Sequence, residues 1–399
     1  MPGFEQFGAA ERESIQEVLD TGVLMRYGFD GMRNDRWKAR EMEQLLAARM
    51  QTSHAHLVSS GTAALSVAMA SAGIGAGDEV ILPTFTFVAS FEAVLAVGAI
   101  PVLCDIDDTL TLDPLAVEQC IGPKTKAIMP VHMCGSMAEL DPLLALAEKH
   151  QLILLEDACQ AIGGTYNGKP LGSLGHIGCF SFDFVKTTTC GEGGGLITNS
   201  EAIYEKAQAF SDHGHDHIGS DRGAEQHPFL GFNYRISELH AAVGLAQLSR
   251  LDEFLAIQES HFKVLEAAIA DIEGITLRKV PNSGVQNYSF LNFFLPDENR
   301  ARKAQQALVA AGVDGVFYWY DNNWHYHRKW EHLKQGHSLH ALPDSTVTAL
   351  KELSTREFPA SDHWMGRNLS VLIKLNWSEA ALSERAASMR RVLLEITKT

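Results

Sequence analysis

Between residues 54 and 157 short apolar runs alternate with helix-forming stretches, and polar turns close the apolar runs. His54-Ala-His-Leu-Val58 passes through Ser59-Ser-Gly-Thr62 into Ala63-Ala-Leu-Ser-Val-Ala-Met-Ala70, a strong helix former. Val80-Ile-Leu-Pro83 passes through Thr84-Phe-Thr-Phe87 into another helix. Further strands are expected over 100–104, 125–131 and 152–157, with helices from about Pro114 and over 141–150. Such alternation predicts an α/β fold, a mainly parallel sheet covered on both faces. Ligands of such sheets lie beyond the carboxyl ends of the strands. The Ser59 turn, the Thr84 turn and Glu156-Asp157 all fall at such ends and should converge on one site.

Some thirty residues after Asp157 comes Ser181-Phe-Asp-Phe-Val-Lys186-Thr-Thr-Thr-Cys-Gly191-Glu-Gly-Gly-Gly195, which sets one lysine between an apolar strand and a glycine-rich loop. A lysine that condenses with an aldehyde and a carboxylate that holds a pyridinium nitrogen are the two side chains pyridoxal 5'-phosphate (PLP) requires. Lys186 and Asp157 are therefore the catalytic candidates, the ion pair with the ring nitrogen being strongest where water is excluded. Taken singly, Lys186 also reads as a solvated loop lysine and Asp157 as a strand-end cap. A phosphate needs donors, and the turn at Gly61 and Thr62 brings free backbone N–H groups and a helix N-terminus to one place. An ordinary N-cap would use the same residues. Ser181 is a second candidate donor, and Phe87 offers a flat apolar face for the ring or, equally, a core side chain.

A chain of 399 residues points to two domains, and 46% hydrophobic against 21% charged residues supplies ample core. The net charge of −16 argues against nucleic acid and anionic membrane as partners. Six cysteines without metal-ligand spacing, no signal peptide and no membrane-length apolar run read as buried, reduced thiols of a cytoplasmic protein. The N-terminal forty residues are too polar for a targeting helix and are expected near the site or a partner subunit. A long amphipathic helix over 237–265 closes the first region, and a strand over 288–294 opens a smaller α+β region.

Ser60-Gly-Thr-Ala-Ala-Leu65, Pro83-Thr-Phe-Thr-Phe-Val-Ala89, Glu156-Asp-Ala-Cys-Gln-Ala161, the Lys186 stretch and Asn233-Tyr-Arg-Ile-Ser-Glu238 together resemble the DegT/StrS family of sugar aminotransferases, collinearly from about residue 25 to 250. The resemblance implies the fold-type-I architecture of PLP-dependent transferases. That means a large domain (1–250) on a mainly parallel seven-stranded sheet, a smaller C-terminal α+β domain (251–399), and a homodimer with sites at the interface. It implies Lys186 as the Schiff-base lysine, Asp157 on the pyridine nitrogen and Gln160 near the ring hydroxyl. Gly61, Thr62 and Ser181 would hold the phosphate, Phe87 would stack on the ring, and Asn233 would reach the neighbouring subunit's phosphate. L-glutamate would be the amino donor and a keto-sugar the acceptor. The family's sugar dehydratases carry histidine in place of the lysine, so Lys186 counts against that activity.

Arg26-Tyr-Gly-Phe-Asp-Gly-Met-Arg33-Asn-Asp-Arg-Trp37, His132-Met-Cys-Gly-Ser-Met137, Ser211-Asp-His-Gly-His-Asp-His217 and residues 317–326 look more like one branch of that family, the transaminases that form 8-amino-3,8-dideoxy-D-manno-octulosonate. These aminate an 8-oxo derivative of the sugar acid Kdo for lipopolysaccharide. A nucleotide-linked keto-hexose is the alternative acceptor. His213, His215 and His217 would share one face of an extended segment, but no cysteine or carboxylate spacing completes a metal site, and none is expected. His213 is instead a substrate candidate beside a loop role. Residues 317–330 hold three of the six tryptophans among amides and charges, a mixture suited to a polyhydroxylated ligand or to an interface. Trp319 and His325 are candidates there, with Arg26, Arg33 and Arg328 as candidate cations for a sugar carboxylate.

Overall fold

Seven strands form the central sheet of the computed structural model, which describes residues 3–219 and 221–398. They are β1 (His54–Val58), β2 (Glu79–Pro83), β3 (Ile100–Cys104), β4 (Thr125–Ile128), β5 (Ile153–Asp157), β6 (Ile177–Ser181) and β7 (Gly194–Thr198), in the order β1-β7-β6-β5-β4-β2-β3. The pairs β2–β3, β2–β4, β4–β5 and β5–β6 are parallel, while β7 runs antiparallel to β1 and β6. The strands read as continuous apolar runs because both faces are covered. On one face Val58, Leu82, Leu103 and Leu155 pack with the interior of α3 (Gly61–Ser71) and α4 (Val88–Ala96). On the other, Leu57, Phe180 and Ile197 pack with Met42, Leu46 and Met50 of α2 (Lys38–Met50), while Ile81, Ile128 and Leu154 meet the helix Leu140–His150. Nearly every side chain of α3 is buried, consistent with its being apolar on all sides rather than amphipathic.

A second, antiparallel sheet is built from β8 (Thr276–Leu277), β9 (Phe290–Phe294), β10 (Val316–Phe317) and β11 (Asn368–Leu372), in the order β8-β9-β11-β10. Its core includes Phe262, Leu265, Leu291, Phe293, Val371, Met389 and Leu393.

The expected single helix over 237–265 is two helices, Glu238–Ser249 and Leu251–Ile269, broken at Arg250. The first packs on α1 (Ala9–Thr21) and α2, and the second carries its apolar stripe into the smaller unit. Arg250 is held at the break by the carbonyl of Gln6, 2.8 Å away, and by the Glu11 carboxylate. Beyond it the chain serves both units, because Trp330, Leu350, Leu353 and Phe358 fill the core of the large sheet. The strand expected from 288 begins at Phe290, since Tyr288 takes a left-handed φ of 60°.

The N-terminal segment does pack beside the lysine loop. The Gly3 amide donates to the Lys186 carbonyl at 2.9 Å, and the Glu5 carboxylate accepts from the Leu375 amide at 2.8 Å. The cysteines are all free, with Cys120 and Cys159 half-buried rather than buried. No helix among the described residues is long and apolar enough to cross a membrane.

Candidate active site

The carboxyl ends of β1, β2, β5 and β6 open into a cavity of about 460 Å³, roofed by residues 317–325 and by Phe290 and Leu372 of the smaller sheet. Gly61, Thr62, Phe87, Asp157, Gln160, Ser181, Lys186, Trp319 and His325 all line it. Gly61, Phe87, Asp157 and Ser181 meet because the parallel strands deliver their ends to one side, and Trp319 and His325 come from the roof above them.

Asp157 closes β5 and is almost fully buried. Its Oδ2 accepts from Ser90 Oγ at 2.7 Å and its Oδ1 from the Cys159 amide at 3.1 Å, yet among the described residues no cationic side chain pairs with it. A buried carboxylate held only by neutral donors is costly until a cation meets it. A pyridinium N–H is such a partner. Ser90, from the first turn of α4, escaped the sequence reading, although its place three residues after Phe87 was a usable signal.

The lysine loop follows β6. Lys186 N–H donates to the Asp183 carbonyl at 3.0 Å, which turns the chain, and its ammonium has no hydrogen-bond or ion-pair partner among the described residues. Opposite stands the start of α3. Ser60 Oγ caps it by accepting from the Ala63 amide at 3.0 Å, and helix geometry leaves the amides of Gly61 and Thr62 without intrahelical acceptors. The glycine also has a packing reason. A Cβ on Gly61 would meet Ser181 Cβ at 2.7 Å and Cys159 Sγ at 3.2 Å, so its missing side chain lets α3 approach β6 and brings the Ser181 hydroxyl to the turn.

Gln160 has its orientation set by a backbone donor, the Cys134 amide at 2.9 Å from Oε1, which turns Nε2 away as the free donor. Cys134 holds φ 55°, and burial pushes its thiol up to about 11. Arg278 supports that turn by donating to Met133 O at 2.7 Å. Glu156, the acidic neighbour of Asp157, faces elsewhere: it accepts from the amides of Gly172, Leu174 and Gly175 and lies 2.9 Å from His132 Nε2.

The aromatic roof is fastened to the Phe87 turn by main-chain bonds. Thr86 N–H donates to His325 O at 3.0 Å, and Val88 N–H to Trp324 O at 2.7 Å. Phe87 stacks at 5.8 Å on Trp324 and lies 5.3 Å from the His325 ring, which is 4.4 Å from Trp319. Trp319 is anchored by Nε1 donating to Ser370 Oγ at 2.7 Å. Burial, with the nearby Lys186 cation, pushes His325 down to about 3. Asn322 joins this wall. Asn322 belongs to the 317–330 mixture of rings and amides, whereas no local signal marked Phe290 or Leu372, which arrive through tertiary contact alone.

Other candidates lie outside this cavity. Arg26 is buried against Glu43 at 2.7 Å and donates to Leu57 O. Arg33 is buried 3.7 Å from Glu238, with its guanidinium 3.8 Å over Trp37. Arg328 bonds Tyr320 Oη and Asp362 at the surface. In this chain the three arginines are committed to protein partners and do not line the cavity, which corrects the expectation that they face the sugar from within it. His213 and Asn233 are exposed on adjoining segments and likewise stand away from the cavity. The histidines do not share one extended face, because His213 and His217 both have positive φ. His215 pairs with Glu225, whereas His217, Arg222 and Arg235 surround Asp212. Among the described residues no group of metal-ligating side chains is assembled.

A mainly parallel seven-stranded sheet with this cavity at its strand ends defines a PLP-dependent aminotransferase of fold type I. Over 98% of both chains the structure superposes on an aminotransferase from Psychrobacter cryohalolentis with a TM-score of 0.85 at 26% identity. Over 97% of both chains it superposes on 3-amino-5-hydroxybenzoic acid synthase with a TM-score of 0.80 at 30% identity. Residues 6–361 match the DegT/DnrJ/EryC1/StrS aminotransferase family, and the chain belongs to it. Among its relatives, GDP-perosamine synthase of Caulobacter vibrioides is 42% identical over 250 residues, 62% of this chain and 64% of that one. 3-Amino-5-hydroxybenzoate synthase of Amycolatopsis mediterranei is 35% identical over 316 residues, 78% of this chain and 79% of that one.

Proposed function

We propose that this enzyme moves an amino group from L-glutamate to the carbonyl of a sugar, and that the acceptor is C8 of 8-oxo-3-deoxy-D-manno-octulosonate. The observation that carries the sugar reading is one cavity that joins a free lysine, a buried carboxylate lacking a cation and a helix N-terminus to a wall of Trp319, His325 and Asn322. Aromatic faces against sugar C–H groups and amides on hydroxyls suit a polyhydroxylated acceptor. The cofactor supplies a reactive aldehyde and a ring that takes up electrons. Asp157 would keep a proton on the ring nitrogen, Gln160 Nε2 would donate to the ring hydroxyl, and Phe87 would lie against the ring. The amides of Gly61 and Thr62, with the Ser181 hydroxyl, would hold the phosphate. Lys186 would be the base that takes the proton from the substrate carbon and returns it within the site as the amino group is transferred.

The exposure of Asn233 supports its reaching a neighbouring subunit, so the working unit is a homodimer, placed in the cytoplasm. The octulosonate acceptor rests on the motifs around Arg26, His132, His213 and Trp319. A nucleotide-linked keto-hexose is the second reading, favoured by 42% identity to a GDP-perosamine synthase.

The deciding experiment mixes the pyridoxamine phosphate form of the enzyme with each keto-sugar and follows aldehyde-cofactor absorbance. Turnover with 8-oxo-Kdo alone supports the first reading. Efficient amination of a nucleotide-linked keto-hexose, with 8-oxo-Kdo ignored, leaves only the family-level assignment.

A further inference from the structure

The imidazole of His325 has its tautomer fixed by its neighbours. Asn322 Oδ1 accepts from the Trp324 amide at 2.9 Å, and since a backbone N–H can only donate, that atom is the oxygen of the side-chain amide. His325 Nδ1 lies 3.0 Å from the same oxygen. An amide oxygen carries no hydrogen, so Nδ1 must supply it. A neutral imidazole with its proton on Nδ1 has a bare lone pair on Nε2. That nitrogen has no hydrogen-bond partner among the described residues and is not sealed by protein, and the residue lines the cofactor cavity.

The ring cannot readily swing away. Phe87 and Trp319 flank it at 5.3 and 4.4 Å, and its own carbonyl is pinned to the Thr86 amide. Burial and the Lys186 cation both oppose protonation. The cavity's charged side chains are Lys186, Asp157, Asp183 and Glu192, and no arginine lines it among the described residues. An acceptor lone pair disfavours an anion at its own position in the cavity.

We propose that His325, neutral and protonated on Nδ1, presents Nε2 as a hydrogen-bond acceptor to a hydroxyl of the keto-sugar, so that this chain reads an uncharged, hydroxyl-bearing part of the substrate while the anionic end lies at the cavity mouth. The assignment rests on the sugar-aminotransferase reading for its ligand, though the tautomer stands on the protein alone.

Two measurements test it separately. Nitrogen-15 NMR of the holoenzyme labelled at histidine, assigned by the signal lost in His325→Gln, should show Nδ1 protonated and Nε2 bare from about pH 5.5 to pH 8.5. A protonated Nε2, or titration inside that window, overturns the proposal whatever the substrate is. In kinetics, His325→Ala should raise KM for the keto-sugar by about ten- to a hundred-fold, the effect of one lost hydrogen bond to a buried group. The penalty on the glutamate half-reaction should be at least about ten-fold smaller. His325→Gln, whose Oε1 can replace Nε2 as acceptor, should recover most of the loss. Equal penalties in both half-reactions, or Gln behaving like Ala, would refute the hydroxyl contact. If wild-type enzyme aminates no keto-sugar, the function proposed above fails, whereas the NMR result still decides the tautomer.

Discussion

Replacing Asp157 with asparagine tests the cofactor site with little disturbance to packing. Asp157 Oδ2 accepts from Ser90 Oγ, Ser90 Oγ lies 2.6 Å from Thr86 Oγ1, and Thr86 Oγ1 donates to Phe87 O at 3.2 Å. An amide at 157 can donate to Ser90, which then turns its own hydrogen to Thr86, so the buried chain of bonds stays satisfied. The Cys159 amide still finds an oxygen. Only the charge is removed. Two unit charges about 4 Å apart interact by about 4 kcal/mol at an effective dielectric near 20, and about 1.4 kcal/mol is a factor of ten. Asp157→Asn should therefore slow both half-reactions by about a thousand-fold, because the protonated ring is needed in each. Single-turnover absorbance with glutamate, and then with the keto-sugar, reads the two rates, and urea unfolding of the apoenzyme should show no more than about 1 kcal/mol of lost stability. Wild-type rates, or a loss confined to the sugar half-reaction, would refute the assignment of Asp157 to the ring nitrogen.

Lys186→Ala should fold and lose transamination by several orders of magnitude, and borohydride should fix the cofactor to wild-type protein only at Lys186, as peptide mapping would show. Activity regained in mixed dimers of Lys186→Ala and Asn233→Ala chains would place Asn233 in the partner's site, and no regain after verified exchange would remove it. Gly61→Ala should cost about 1–3 kcal/mol in urea unfolding and weaken cofactor binding, since its Cβ has only 2.7 Å to Ser181 Cβ. Glu43 is held down to about 2 against its burial by Arg26 and His56. Its contribution to stability is thus present above the usual carboxylate range and is lost as pH falls from about 4.5 toward 2. His56, pushed down by burial, adds loss in the same direction below about 6.5, because the unfolded chain takes up that proton first. Glu43→Ala, which strands the buried Arg26, should cost about 3–5 kcal/mol by denaturant titration at pH 7.

Local patterning carried the sequence reading as far as strand ends. The apolar runs at 54–58, 79–83, 100–104 and 153–157 and the polar turns after them determined the parallel sheet, because the side of a parallel sheet on which a turn emerges follows from strand direction alone. Gly61, Phe87, Asp157 and Lys186 were legible for that reason. What lay in wait was every choice between partners. Arg26, Arg33 and Arg328 are equivalent free cations in a sequence, and only packing commits them to Glu43, Glu238 and Asp362. The sequence does not show what crowds Gly61, and tertiary structure sets Ser181 and Cys159 in the space of its missing Cβ. The break at Arg250 was hidden because residues on both sides form good helix, and the deciding contact comes from Glu11 at the other end of the chain. His325 shows the division most plainly. Its identity was a candidate in the sequence, but its tautomer depends on an amide three residues away whose direction is fixed only when the chain turns. Periodicity and turn chemistry are local and survive in one dimension, whereas hydrogen-bond direction and ion pairing exist only between groups that folding has brought together.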